Sequence, residues 1–282
     1  MQRNYSCADF TFPLLPHGKV LDLLALLDFK AVDLGIFEER SHHYPSTIVA
    51  NPSGHARQMK NALSQRGLVA ADVFLQTGAE PPVSAANDPD TAVRMRNRDT
   101  LLGMIEYTAA LGAKHITGLP GVLHKGVKAE TDWNLAVEEA AWRLEACAKA
   151  GITYAIEAHV GSILPDPENT LRFLEAVPGL TLTLDYGHFI YQGMDNASVH
   201  PLLPHASHFH ARGGAQGALQ STVKDNTIDY GAVIAGLKAA DYKGYLCLEY
   251  VWVDWEGCNR TDNISETLLL REELDRLIES VE

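Results

Sequence analysis

A short run of β character followed by a longer run of helical character recurs about once per thirty residues, eight times over. The β-like runs are NYSCADF (4–10), AVDLGIF (31–37), ADVFLQTG (71–78), KHITGLPG (114–121), ITYAIEAH (152–159), LTLTLDYGH (180–188), SHFHAR (207–212) and YLCLEYVW (245–252). Helix-like segments fill 17–28, 52–66, 89–111, 131–150, 167–176, 229–240 and 262–280, with a weaker one at 195–204. Alternation of this kind calls for a parallel sheet with helices packed over it. Eight units in 282 residues call for closure of that sheet, since a closed eight-stranded barrel takes about 250 residues. No linker, low-complexity tract or change of composition breaks the series. The expectation is an α/β protein: a single-domain (β/α)8 TIM barrel occupying residues 1–282.

Helix starts are marked locally. Asp88-Pro89-Asp90 and Asp166-Pro167-Glu168 each set an acid before a proline in a first helical turn, where a capping side chain and a missing N–H are both welcome. Thr131-Asp132 is expected to do the same work ahead of WNLAVEEAAWRLEACAKAG, with Gly151 as the stop.

Side chains alternate faces along a strand, so each strand sorts into an interior and an exterior set. In LTLTLD, the leucines at 180, 182 and 184 pack outward, while Thr181, Thr183 and Asp185 look inward. The same parity sends Thr153, Ala155 and Glu157 inward from the fifth strand, and His208, His210 and Arg212 from the seventh. From the eighth it sends Tyr245, Cys247 and Glu249 inward. Glu157, Asp185, His210 and Glu249 thus reach the interior at or near strand carboxyl ends, which a barrel gathers together. Unpaired interior carboxylates are costly, and too few inward cations are visible to neutralise three of them. One divalent metal ion answers that excess. Three carboxylates and an imidazole suit Mn2+ first, with Mg2+, Co2+ or Zn2+ also compatible. The rival reading is ion pairing within the barrel. His208, one layer deeper than His210, reads as a hydrogen-bonded interior residue.

A net charge of −13 makes nucleic acid and anionic membranes poor partners. Cys7, Cys147, Cys247 and Cys258 are widely spaced and form no CxxC pair, which fits reduced thiols in a cytoplasmic protein. MQRNYSCADFTFP lacks the layout of a secretion signal. The most apolar stretch, VLDLLALLDF, is too short to span a bilayer and carries Asp22 and Asp28.

IEAH, LDYGH, HFHARG and the closing IDYGAVIAGLKAADYKGYLCLEY resemble the xylose isomerase-like TIM barrels, with the D-tagatose/D-psicose 3-epimerases and hydroxypyruvate isomerases as near relatives. The likeness spans most of the chain and is specific from about Ala150 onward. It implies Glu157, Asp185, His210 and Glu249 as ligands of one divalent ion, with His188 and Arg212 as substrate contacts. It further implies a small-molecule carbohydrate substrate and a homo-oligomer. The endonuclease IV-type nucleases of the same superfamily use additional histidines that ADVFLQTG, HITGLPG and TVKDNTIDYG do not supply.

Such a site implies a divalent-metal-dependent isomerase or epimerase of a sugar or sugar-like hydroxy-ketone. Glu157 and Glu249 would move the proton through an enediolate, and His188 and Arg212 would stabilise developing negative oxygen. His159 follows Glu157 at the same parity and is a further candidate to touch substrate, with loop packing as the alternative. The first proton abstraction is shared with a dehydratase or lyase acting on a keto-inositol or an oxidised sugar, so that class stays open. A non-catalytic metal- or sugar-binding barrel also stays open. GGAQG after Arg212 reads as a flexible loop with a weak phosphate-cradling pattern.

Overall fold

The computed structural model describes residues 3–281, so the expected span of 1–282 is covered except for residues 1, 2 and 282. Its strands are β1 (Tyr5–Ala8), β2 (Ala31–Phe37), β3 (Val69–Gln76), β4 (His115–Gly118), β5 (Thr153–Ile156), β6 (Thr181–Asp185), β7 (Ala206–Ala211), β8 (Gly213–Ala215), β9 (Ala218–Ser221) and β10 (Leu246–Leu248). The α-helices are α1 (His17–Leu26), α2 (Pro45–Ile48), α3 (Pro52–Ser64), α4 (Thr91–Leu111), α5 (Ala129–Lys149), α6 (Pro167–Ala176), α7 (Gly187–Tyr191), α8 (Asn196–Val199), α9 (Tyr230–Ala239) and α10 (Asn263–Val281). Eight strands close in the order β1-β10-β7-β6-β5-β4-β3-β2, and every neighbouring pair is parallel. The expected (β/α)8 barrel is therefore the fold. Among the described residues no helix is long and apolar enough to cross a membrane. All four cysteines are buried free thiols.

The two faces of the staves have different chemistry. Outward residues such as Leu34, Val73, Ile116, Leu184 and Phe209 are wholly buried beneath the helices. The inward set is polar. Asp33, Asp72, Thr117, Thr183, His115 and His208 are all buried there and bond to one another in pairs. His208 Nε2 lies 2.5 Å from Asp33 Oδ2, His115 Nδ1 2.6 Å from Asp72 Oδ1, and the Thr117 and Thr183 hydroxyls 2.6 Å apart. Strand β7 carries a bulge. Leu182 faces Ala206 but Thr183 faces His208, so Ser207 is an extra residue. As a result, consecutive residues Ser207 and His208 both serve the interior. Ser207 Oγ sits 2.8 Å from His115 Nε2 and 2.7 Å from Thr181 Oγ1.

Four local expectations need correction. Strand β6 stops at Asp185 rather than 188 because Asp185 Oδ1 accepts the Gly187 N–H at 2.7 Å, an Asx turn that starts α7. His188 is thus on a helical turn. GGAQG is the tip of a β8–β9 hairpin. Its amides are already used, with Gly213 N–H donating to Tyr250 Oη at 2.9 Å and Gly214 N–H to Asn226 Oδ1 at 3.0 Å, so it does not cradle phosphate. Asp90, not Asp88, caps α4 through the Ala92 N–H at 2.8 Å. Helix α5 begins at Ala129, before Thr131, and Asp132 instead ties down the preceding loop by taking the His124 N–H and ring Nδ1, each at 2.8 Å. The Asp166-Pro167 start of α6 is as expected, with Asp166 Oδ1 taking the Asn169 N–H at 2.8 Å.

Asn87 holds the loop that follows β4. Its amide donates to Val122 O at 2.8 Å and to Asp132 O at 3.1 Å, and accepts the Val122 N–H at 3.0 Å, all in a fully buried setting. Asn87→Ala orphans those backbone groups, which costs about 3 kcal/mol, and lowers the melting temperature by about 5 °C for a chain of this size. Differential scanning calorimetry checks this, and an unchanged melting temperature would show that the loop is held by something else.

Candidate metal centre

Four consecutive staves, β5, β6, β7 and β10, carry the candidate ligands. Asp185 closes β6, and His210 lies within β7. Glu157 and Glu249 stand one residue beyond β5 and β10, yet their backbones extend the parallel ladder. Glu157 N–H donates to Gly118 O and Glu249 N–H to Ala211 O, each at 3.0 Å. The carboxylates are therefore carried by rigid backbone, and all four side chains are buried.

The His210 ring is the meeting point. Its Nδ1 is 2.6 Å from Glu157 Oε1 and 3.3 Å from Glu249 Oε2. Donor atoms of Glu157, His210 and Glu249 all lie within 4.8 Å of one another, as do those of Glu157, Asp185 and His188. The four sequence-derived ligands and His188 thus form two overlapping triads joined through Glu157. Between the triads stands Arg212, with Nη2 2.5 Å from Asp185 Oδ2 and 3.8 Å from Glu249 Oε2. Its backbone carbonyl accepts from Tyr230 Oη at 2.7 Å. Arg212 therefore neutralises Asp185 directly.

His188 Nδ1 faces the Val160 N–H at 3.2 Å, and its Nε2 lies 3.2 Å from Arg212 Nη2 and 3.6 Å from Asp185 Oδ2. A neutral ring has a single lone-pair nitrogen, so it accepts from Val160 or from Arg212, not from both. Burial, and then the nearby Arg212 charge, hold His188 well below the usual histidine range. His159 gives its Nδ1 proton to the Val160 carbonyl at 2.8 Å, which leaves a buried Nε2 with no partner. Burial pushes its pKa down to about 4. The outer wall is aromatic. Phe10, Phe37 and Phe74 pack with centroids 5.1–6.2 Å apart, and Trp255 lies 6.2 Å from the His188 ring.

Charge at the cluster is unevenly shared. Burial pushes Glu157 up to about 7, against the pull of His210. Burial also raises Asp185, more than Arg212 lowers it. At Glu249 burial acts upward but is outweighed by His210 and Arg212, so its carboxyl sits below its ordinary value. At His210 burial acts downward but is outweighed by Glu249, Asp33 and Glu157, which hold the ring well above the ordinary histidine range. The imidazole keeps a proton between two carboxylates, where a positive charge is wanted.

That arrangement fits a divalent cation. Glu249 Oε2 is fully buried and accepts no hydrogen bond; the His210 ring and Arg212 face it only at 3.3 and 3.8 Å, and an ion would meet it more closely. The donor set is hard oxygen with one nitrogen, a set that a divalent cation would accept. An ion held through His210 Nδ1 would take the place of the proton on that nitrogen.

Two acids escaped the sequence reading. Asp33 on β2 and Asp72 on β3 are wholly buried inside the barrel. The parity argument alone would have found Asp33, which alternates with the outward-packing Val32 and Leu34.

A profile for the xylose isomerase-like TIM barrel family matches residues 21–279. No curated protein sequence matches significantly. Among solved structures, D-psicose 3-epimerase from Clostridium cellulolyticum H10 with D-tagatose superposes at a TM-score of 0.75 and 13% identity, covering 98% of this chain and 99% of that one. A xylose isomerase-like TIM barrel protein from Mycobacterium smegmatis in complex with magnesium gives 0.70 and 16%, over 93% and 88% of the two chains. An AP endonuclease, family 2, from Brucella melitensis gives 0.70 and 17%, over 94% and 96%. At these identities the likeness is one of fold alone.

Mn2+ at about one hundred times its dissociation constant should stabilise the chelator-treated protein by about 2.7 kcal/mol, a rise of several degrees in melting temperature. Glu249→Gln, which removes the orphaned charge, should abolish most of that rise. Thermal-shift assays with and without the ion decide it. Equal rises in the two proteins would remove Glu249 from the site.

Proposed function

The chain belongs to the xylose isomerase-like TIM barrel family, and on that premise we propose that it is a divalent-metal-dependent isomerase or epimerase of a sugar or sugar-like hydroxy-ketone. The observation that carries this reading is the convergence of Glu157 Oε1 and Glu249 Oε2 on one ring nitrogen of His210, at 2.6 and 3.3 Å from Nδ1. Glu157, Asp185, His210 and Glu249 would hold the ion, with Mn2+ preferred. The magnesium complex of the Mycobacterium smegmatis protein supports a metal in this fold. When bound, the ion supplies Lewis acidity that makes a C–H beside a carbonyl easier to ionise.

The rest is done by side chains. Glu157 and Glu249 come from staves separated by β6 and β7, so a substrate carbon seated between them meets one carboxylate that takes its proton and another that returns one. The intermediate is an enediolate. Arg212, already anchored on Asp185, and His188 hydrogen-bond the oxygen on which negative charge grows. The unpartnered Nε2 of His159 accepts from a hydroxyl. Proton return to the opposite face gives an epimer, and return to the adjacent carbon gives an isomer. The aromatic wall excludes water, which protects the enediolate from loss of a hydroxyl. The whole of 1–282 acts as the catalytic domain, and its four buried thiols suit a reducing cytosol.

Incubation with a panel of ketoses, aldoses and keto-acids in D2O with saturating Mn2+ should give one product that carries deuterium at unchanged carbon and oxygen count. Glu157→Gln and Glu249→Gln should each lower kcat by about 10²–10⁴-fold. A product lighter by one water would replace this reading with a dehydratase. Near-normal turnover by both variants would remove the two-carboxylate mechanism.

A further inference from the structure

The interior acid on β2 has no place in the proposed reaction, yet it sits directly behind the central imidazole. Asp33 is fully buried, and its Oδ2 lies 2.5 Å from His208 Nε2 and 3.5 Å from His210 Nε2. His208 and His210, two residues apart on β7, therefore present the same ring nitrogen to the same oxygen. We propose that Asp33 is a positioning residue for His210: its carboxylate accepts a hydrogen bond from the ring N–H at Nε2, which leaves the Nδ1 lone pair free for the ion beside Glu157 and Glu249. The inference rests on the metal reading of that site.

The argument is one of proton accounting. An imidazole that coordinates through Nδ1 carries its one proton on Nε2. In this protein Nε2 is completely buried and makes no hydrogen bond of ordinary geometry. A buried N–H without an acceptor is costly, and Asp33 Oδ2 is the carboxylate oxygen on that side. The 3.5 Å gap is a few tenths of an ångström beyond a hydrogen bond, and a tilt of the ring away from Glu157 closes it. His208 holds Asp33 in register for this task, so the order across the barrel is His208, Asp33, His210, then the carboxylate cluster.

Asp33, His208, His210 and Cys247 also bring their donor atoms within 4.8 Å of one another, a donor set that zinc would accept. The spacing argues for the hydrogen-bonded role. Donors sharing a tetrahedral zinc at about 2.0 Å stand about 3.3 Å apart, whereas Asp33 Oδ2 and His208 Nε2 are at 2.5 Å.

Calorimetric titration of the chelator-treated full chain with Mn2+ tests the proposal, alongside nitrogen-15 NMR of the histidine rings in the Zn2+-loaded protein. Wild type should bind one ion per chain, with His210 protonated at Nε2. Asp33→Ala should bind tenfold to a hundredfold more weakly and lose the hydrogen-bonded shift of the His210 Nε2–H signal, and Asp33→Asn, which preserves shape if the alanine variant does not fold, should weaken binding at least threefold. A purely packing role would lower the melting temperature without moving affinity or that signal, and that result overturns the inference. So do two ions per wild-type chain, which would make the Asp33 cluster itself a metal site. No ion bound by wild type overturns the metal reading and this inference with it, whereas tight binding by both wild type and the Asp33 variants overturns this inference alone.

Discussion

Everything at the carboxyl end of this barrel is arranged around concentrated negative charge in a place water hardly reaches. Glu157, Asp185 and Glu249 are delivered by backbone that cannot retreat, because each is tied to the closed ladder or to its last residue. Positive charge must come to them. Arg212 comes to Asp185, and the protonated ring of His210 comes to the two glutamates. The placing of Arg212 is itself secured from behind. Tyr230 Oη donates to its carbonyl, and Tyr250 Oη accepts the next amide, that of Gly213. Two phenols from outside the cluster thus fix the guanidinium within it, and the β8–β9 hairpin is the price of that rigidity.

The floor beneath the cluster is unusual for a barrel, where layers of branched aliphatic side chains are the rule. Here Asp33 pairs with His208 and Asp72 with His115, joining β2 to β7 and β3 to β4. Buried pairs of this sort add little net stability compared with apolar packing. What they add is register. A slip of β2 or β3 would strand a carboxylate among hydrocarbon. Burial acts to raise the Asp33 pKa, but His208 and His210 outweigh it and keep the group ionised. The interior is therefore specified by complementary charge, while the exterior face of the same strands is specified by volume.

Much of this was legible in the sequence because two periodicities were clean. The alternation of short and long runs gave eight staves within a few residues of their true limits. Parity within LTLTLD, ITYAIE and YLCLE placed the acids inward because those strands run without irregularity to their ends. Elsewhere local hydrogen bonding intervened. The Asx turn at Asp185 is made by one side chain folding back on the chain, and nothing in the hydrophobic pattern announces it. Asp132 looked like a helix cap and instead holds His124, since a carboxylate beside a loop can serve either neighbour. The hairpin at 213–221 is polar and glycine-rich, so it carries no apolar period to read. Arg212 lies inward as parity requires, but only coordinates distinguish an arginine spent on Asp185 from one held free.

The bulge in β7 carries a consequence for how such a chain can change over generations. Because Ser207 occupies a position of its own, every residue downstream in that stave keeps the facing that suits it: Phe209 outward, His210 inward. Loss of the Ser207 codon would set Ala206 and His208 side by side opposite Leu182 and Thr183, a regular ladder in which no later residue changes face and the pairing with β10 is untouched. What would go is the hydroxyl that meets His115 and Thr181. Loss of His208 or Phe209 instead would turn the residues that remain to the wrong side. The stave can therefore shorten by one at a single place, with the loss of one polar link across the interior.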